Sequence, residues 1–291
     1  MEKIVLKGEI EFADLGIYDK MISEPDVKFI DIKDFTLKEE NEWEWQGYYK
    51  GRDERPPVTL ALYIAKQMSS SFIVENGLIM SPDRKTVYYG FDKDEIIIPK
   101  GVEIIAKRAF YLSTIREITF PKTLKRIEEF AFAECENLIE IELPDSVDFV
   151  GESAFEHCSL KNVRLSSKLK TITADCFAFN ELKNLMLPQS IKTIEFNAFM
   201  CNCITRVLLP EGVEEIQTEA FTSLYHICFP STMRIISKTF YYESDITDGE
   251  ERLPYIDVNK NNPYFFSNNG TLYSRKNTEK PYLGFFYKNK N

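Results

Sequence analysis

Two histidines and six cysteines are the residues of this 291-residue chain best suited to nucleophilic or metal chemistry. His157 stands between Glu156 and Cys158. A thiol activated by imidazole needs the two groups in hydrogen-bond reach, and consecutive side chains point apart, so His157 reads as a surface residue. Cys201 and Cys203 form a C-x-C pair, yet no C-x-x-C or H-x-x-x-H completes a zinc set. Neither a G-x-G-x-x-G, a P-loop nor a G-x-S-x-G occurs. Asn269-Gly-Thr271 matches a glycosylation acceptor, but a hairpin turn accounts for its Asn-Gly. The abundant carboxylates read as a solvated face. The expectation is a non-enzymatic chain with no catalytic residues, no metal site and no cofactor.

Composition narrows the partners. Acidic residues number 46 against 36 basic ones, a formal charge of −10, whereas nucleic acid and anionic membranes call for a basic footprint. Nucleic acid is therefore not expected as a partner, although a local basic patch is compatible with an acidic total, and no run of about 18 apolar residues exists for membrane insertion. The start, MEKIVLKGEIEFADLG, lacks the apolar stretch of a secretory signal. The expectation is a cytoplasmic protein, or else a mature or trimmed form of an extracellular, surface-bound one.

The elements that position these residues follow a period. Phenylalanines recur at Phe110, Phe132, Phe155, Phe177, Phe199, Phe221 and Phe240, with spacings of 22, 23, 22, 22, 22 and 19. Prolines keep the same beat at Pro99, Pro121, Pro144, Pro188, Pro210 and Pro230, with Ser166 standing in once. A fixed period in this range marks a solenoid, in which each unit buries its apolar face only against its neighbours.

Each column of the repeat has a physical reading. Units such as Ile141 to Asn162 and Leu185 to Arg206 open on an apolar-x-apolar triplet, a short strand with one buried face. Proline then ends the strand, because it has no N–H to donate to a ladder. A turn follows, with glycine at Gly101 and Gly212, and then an apolar pair such as Val147 and Val150. Ala-Phe comes last; Cys176 and Thr239 replace alanine in two units. Small residues let layers approach, and the rings fill the space between them. One buried ring contributes roughly 4–6 kcal/mol as an upper bound. Three residues after the ring, Ser113, Cys135, Cys158, Asn180 and Asn202 are expected to satisfy turn backbone groups. All six cysteines lie in repeat columns, so they are expected as reduced thiols. A Cys135–Cys158 bridge would fit the ~4.8 Å layer spacing.

The unit strand, Pro, turn, V-x-x-I, A-F, C, L resembles BspA-type leucine-rich repeats, over roughly Phe72 to Phe286. The segments Phe72–Ser81 and Phe265–Ser274 share F-x-x-x-N-G-x-x-x-S, a hairpin signal of the kind that punctuates such arrays. The resemblance implies a repeat solenoid with a curved parallel β-sheet, and short turns or helical segments on the convex side. It also implies protein or host-surface binding, many members being exported bacterial surface proteins. The expected organisation is an N-terminal α+β cap over 1–70 and the solenoid over 71–291. Within the latter come a hairpin at 72–91, seven repeats at 96–242, and a terminal strand and hairpin at 253–287. In the cap, Glu2–Phe12, Val27–Phe35 and Glu42–Tyr49 alternate as strands, the last with Trp43 and Trp45 on one face. Asp53 to Pro57 reads as a hinge, and Pro57–Met68 as a short helix.

Alternation places two outward rows on the sheet. One runs Ile97, Thr119, Glu142, Arg164, Met186, Leu208, Cys228, and the other Glu95, Glu117, Glu140, Asn162, Asn184, Arg206, His226. Met186, Leu208 and Cys228, rimmed by Asn184, Arg206 and His226, are the candidate contact patch for a protein or peptide. Glu95, Glu117, Glu140 and Glu142 form an acidic row suited to a basic partner or a cation. The ligand's identity and the oligomeric state are not encoded in these patterns. Seven strands span ~34 Å at ~4.8 Å each, the length of a helix or extended peptide.

Overall fold

The computed structural model describes residues 3–10, 15–37, 62, 66, 69–222, 224–237 and 255–278. It is a β-solenoid, and the phenylalanine column is its spine. The rings of Phe110, Phe132, Phe155, Phe177, Phe199 and Phe221 stack with centroids 4.9, 5.1, 5.6, 5.6 and 5.3 Å apart and planes within 9° of parallel. These rings and the alanines before them are buried. Phe240 and Thr239 lie outside the described residues.

Each turn has three sides. On the first, the triplets before proline pair in parallel. Glu95–Ile97 pairs with Glu117–Thr119, Glu140–Glu142 with Asn162–Arg164, and Arg206–Leu208 with His226–Phe229 and then Tyr255–Val258. The middle residue of each triplet faces the core, as Ile96, Ile141, Val207 and Ile227 do. On the second side the V-x-x-I segment forms a ladder of its own, not anticipated from the apolar pair. It runs Ile104–Ile105, Arg126–Ile127 and Phe149–Val150, then Thr171–Ile172, Thr193–Ile194, Glu215–Ile216 and Ile235–Ile236.

The expected solenoid with parallel β-sheet is thus present, and its sheet is built as two ladders per turn, each in short blocks. On the first side, pairing stops between Glu117–Thr119 and Glu140–Glu142. The 23-residue spacing from Phe132 to Phe155 falls here, and its extra residue lies between Phe132 and Pro144. Among the described residues, pairing is also absent at Asn184–Met186. The ring spacing widens to 5.6 Å on both sides of Phe177 there, beyond the ~4.8 Å of a ladder. On the second side the ladder stops between Phe149–Val150 and Thr171–Ile172, while Thr171–Ile172 and Thr193–Ile194 stay paired.

The third side is the Ala-Phe turn, where short turns rather than helices occupy the side away from the strands. Its backbone alternates direction. Arg108, Phe110 and Leu112 donate their N–H groups to carbonyls of the next layer, while Ala109, Tyr111 and Ser113 donate within their own. The left-handed residues recur in register: Arg108, Phe130, Ser153, Asp175, Asn197 and Glu219 two before phenylalanine, and Leu112, Glu134, His157, Phe179 and Cys201 two after it. Alternation of this kind turns every second N–H along the stacking axis, which is how a turn side joins the layers without a strand.

The column after the rings behaves as its residue types suggest. Cys135 and Cys158 are free, buried thiols that donate to the carbonyls of Phe110 and Phe132 at 3.0 and 3.1 Å. Asn180 donates to the carbonyls of Phe155, Phe177 and Ala178 and accepts the Leu160 N–H, and Asn202 repeats the pattern one layer on.

Both Asn-Gly hairpins form. Asn76 and Gly77 have φ of 55° and 80°, and Asn269 and Gly270 have 49° and 79°, the left-handed pair of a type I′ turn. They do not sit as matching bookends. The first hairpin, Ser71–Glu75 with Leu78–Met80, joins Thr86–Gly90 and continues the second-side ladder. In the other direction it pairs antiparallel with Phe29–Leu37, which runs parallel to Lys3–Ile10. These strands match the expected Glu2–Phe12 and Val27–Phe35. Between them lies the helix Leu15–Ile22, which the sequence reading missed. Its signal was present, since Tyr18 and Ile22 face the core four residues apart while Ile17 and Met21 are exposed. Ile4, Leu6, Ile22, Ile30, Ile32 and Phe35 share a second core with Phe72, Ile79, Tyr88 and Tyr89. The strand expected at 42–49, the hinge at 53–57 and most of the helix at 57–68 lie outside the described residues.

Among the described residues the second hairpin, Phe265–Asn268 with Thr271–Ser274, forms a ladder only within itself and packs on Tyr255–Val258. Gly270 accepts the Ile256 N–H, and a Cβ there would collide with the Tyr255 ring. Asn262 fastens the hairpin, donating to the carbonyls of Pro230 and Met233 and accepting from Tyr264 and Phe265. The remainder of the expected terminal segment, 253–254 and 279–287, lies outside the described residues.

Candidate binding surface

Alternation along the first-side strands sends every second residue outward. Both outward rows are exposed, apart from half-buried His226 and Cys228. Met186 is 86% exposed and Leu208 75%, the highest values among the large apolar side chains of the described residues, followed by Ile97 at 72%. Register places Leu208 opposite Cys228, and Arg206 opposite His226. Asn184 and Met186 occupy the preceding turn, which has no ladder partner among the described residues, so the proposed patch crosses a break in the sheet instead of lying on one continuous strand array.

The acidic row changes in one respect. Glu95 sits directly opposite Glu117, an unfavourable like-charge pair, and Glu140 sits opposite Asn162. Glu142, however, lies opposite Arg164 at 3.5 Å and is already paired with a cation. The expected set of four mutually repelling carboxylates therefore reduces to three.

At the other end of the face, the structure assembles a group that the sequence reading did not. Continuing the rows into Tyr255–Val258 puts Tyr255 beside His226 and Asp257 beside Cys228. His226 Nε2 lies 2.8 Å from Asp257 Oδ2 and 3.6 Å from Cys228 Sγ, and Sγ lies 4.0 Å from Oδ2. The spacing His-x-Cys already put two donors on one face of one strand; the third comes from 29 residues further along. The group opens into a cleft of about 360 Å³ lined by Thr205, Arg206, Tyr225, His226, Tyr255 and Asp257.

This arrangement is not a thiol nucleophile with its base. Both the thiol and the carboxylate approach the same imidazole nitrogen, whereas a relay needs one on each nitrogen. Burial, and then the Asp257 charge, push the Cys228 thiol up, with Arg206 opposing them. An activated thiol would be shifted down. The interior thiols are less reactive still: burial pushes Cys176 up to about 12 and raises Cys158 well above the ordinary thiol value. His157 lies on the surface as expected, with its ring stacked on Phe179 at 4.2 Å. Cys201 and Cys203 are exposed.

Comparison with known proteins agrees with this architecture. Residues 84–149 and 127–248 match the family model of the BspA type Leucine rich repeat region, in six copies. No curated protein matches the chain. Among solved structures, a leucine-rich repeat protein from Eubacterium ventriosum is 23% identical, with a TM-score of 0.52, over 66% of this chain and 54% of that one. The pneumococcal vaccine antigen PcpA is 25% identical, with a TM-score of 0.34, over 66% of this chain and 38% of that one. A leucine rich cell surface protein from Faecalibacterium prausnitzii is 18% identical, with a TM-score of 0.43, over 70% of this chain and 58% of that one. The matched part thus covers between about two-fifths and three-fifths of these longer proteins. No helix among the described residues is long and apolar enough to cross a membrane.

Proposed function

This chain belongs to the BspA-type leucine-rich repeat family, and from that premise we propose that it is a non-enzymatic scaffold binding a protein or peptide on the first-side face of its solenoid. The observation that carries the reading is the exposure of Met186 and Leu208, at 86% and 75%, beside polar Asn184, Arg206 and His226. An apolar centre with a polar rim is the composition of a contact surface, and the repeat supplies a rigid array on which to display it. Residues 1–70 act in this reading as a cap, whose strands Lys3–Ile10 and Phe29–Leu37 extend the second-side ladder.

The test is affinity capture from the native host with the full chain and with the Met186→Asp/Leu208→Asp variant. A partner retained by the first and lost by the second, with unfolding unchanged, supports the face as the contact surface. Equal capture by both removes it. Fractionation of the native host then separates an intracellular scaffold from an exported surface module.

A further inference from the structure

We propose that His226, Cys228 and Asp257 form a binding site for a divalent late transition metal of the zinc class. Imidazole nitrogen, thiolate sulfur and carboxylate oxygen are all ordinary ligands of such an ion, and a mixed set containing sulfur disfavours magnesium and calcium. The three donor atoms all lie within 4.8 Å of one another. Tetrahedral zinc with its usual bond lengths holds N, S and O donors ~3.3–3.6 Å apart. The separations here are 2.8, 3.6 and 4.0 Å, each within ~0.5 Å of that arrangement.

Two features make the convergence more than chance proximity. The carboxylate and the thiol close on the same imidazole nitrogen, leaving them aimed at one point instead of along a chain. The three residues also lie on two paired strands whose register sets Asp257 opposite Cys228, so the backbone fixes the donors before any ion arrives. Binding replaces the proton of the Cys228 thiol with the metal and releases it to solvent. The resulting set of thiolate, carboxylate and neutral imidazole cancels the charge of a divalent ion. Three protein ligands leave a fourth position for water or for a donor atom from a docked protein. The proposal stands independently of whether Met186 and Leu208 make contacts.

Cobalt(II) titration of the full chain under reducing conditions tests it, because a tetrahedral cobalt–thiolate centre has a visible spectrum and a sulfur-to-metal charge-transfer band. Zinc should then displace the cobalt. The expected result is one equivalent bound with a charge-transfer band. Cys228→Ser should abolish the band. His226→Gln and Asp257→Asn should each weaken binding by more than ~100-fold, since even groups that only orient a ligand are worth 10–100-fold. The band should survive Cys201→Ser/Cys203→Ser, which removes the exposed C-x-C. Circular dichroism confirms that each variant is folded. A wild-type chain that binds no cobalt, a band that persists in Cys228→Ser, or one that vanishes with Cys201 and Cys203 would each overturn the assignment.

Discussion

The N-terminal and C-terminal halves of the repeat array meet the same backbone demand with different side chains. In the column after the rings, the N-terminal half uses Ser113, Cys135 and Cys158, and each thiol makes one short contact to the carbonyl of a ring residue in the layer behind. The C-terminal half uses Asn180 and Asn202, and each amide ties together three carbonyls and one N–H across two layers. Outside, the contrast reverses in polarity. The N-terminal half carries Glu95, Glu117 and Glu140, while the C-terminal half carries Met186, Leu208 and the His226–Cys228–Asp257 group. Interior columns are restricted to groups that satisfy buried backbone atoms, whereas outward columns are free to diverge, and there the two halves differ most.

That comparison can be broken at several points. Phe155→Ala, inside the stack where the halves join, is expected to cost roughly 3–5 kcal/mol in denaturant unfolding. A loss below ~1 kcal/mol would mean that the rings do not hold the halves together. Asn180→Ala leaves three carbonyls and the Leu160 N–H short of a partner and should cost about 3 kcal/mol. Cys158→Ala should cost about 1 kcal/mol, so equal losses for the two would erase the interior contrast.

Glu156 sharpens the picture beside that junction. Burial raises its carboxyl above the usual value, with a Ser153 hydrogen bond opposing the shift. A folded-state value above the unfolded one means that the charged form opposes folding at neutral pH, and that the penalty disappears as pH falls below the carboxylate range. Glu156→Gln is therefore expected to stabilise the fold at pH 7 by less than ~1 kcal/mol, with the gain shrinking towards pH 4. A gain that is constant across this range would show that the charge is not its source. Met186→Asp/Leu208→Asp should change unfolding least, within about 0.5 kcal/mol, because both side chains are already in water. A larger loss would place them in the packing of the fold instead of on its contact face.

The ring stack from Phe110 to Phe221, the burial of the preceding alanines, the polar column and both Asn-Gly turns were legible in the sequence. Each depends on short-range chemistry repeated at one period, so aligning the units aligns the neighbours. The helix Leu15–Ile22 was harder to see, because eight residues with two exposed apolar side chains carry a weak periodic signal. The ladder breaks were not legible either. They depend on how far apart layers settle once a 23-residue unit is stacked among 22-residue ones.

The sequence alone thus determined the solenoid, its spine and which residues face outward, because a regular period converts spacing into contact. Tertiary structure decided what happens where the period fails. Asp257 follows Cys228 by 29 residues, more than one regular unit, and only strand register in the folded chain brings its carboxylate to the His226–Cys228 pair. A periodic argument loses its neighbours at that point, whereas the parallel ladder continues, since backbone hydrogen bonds are indifferent to the length of chain connecting the strands they join.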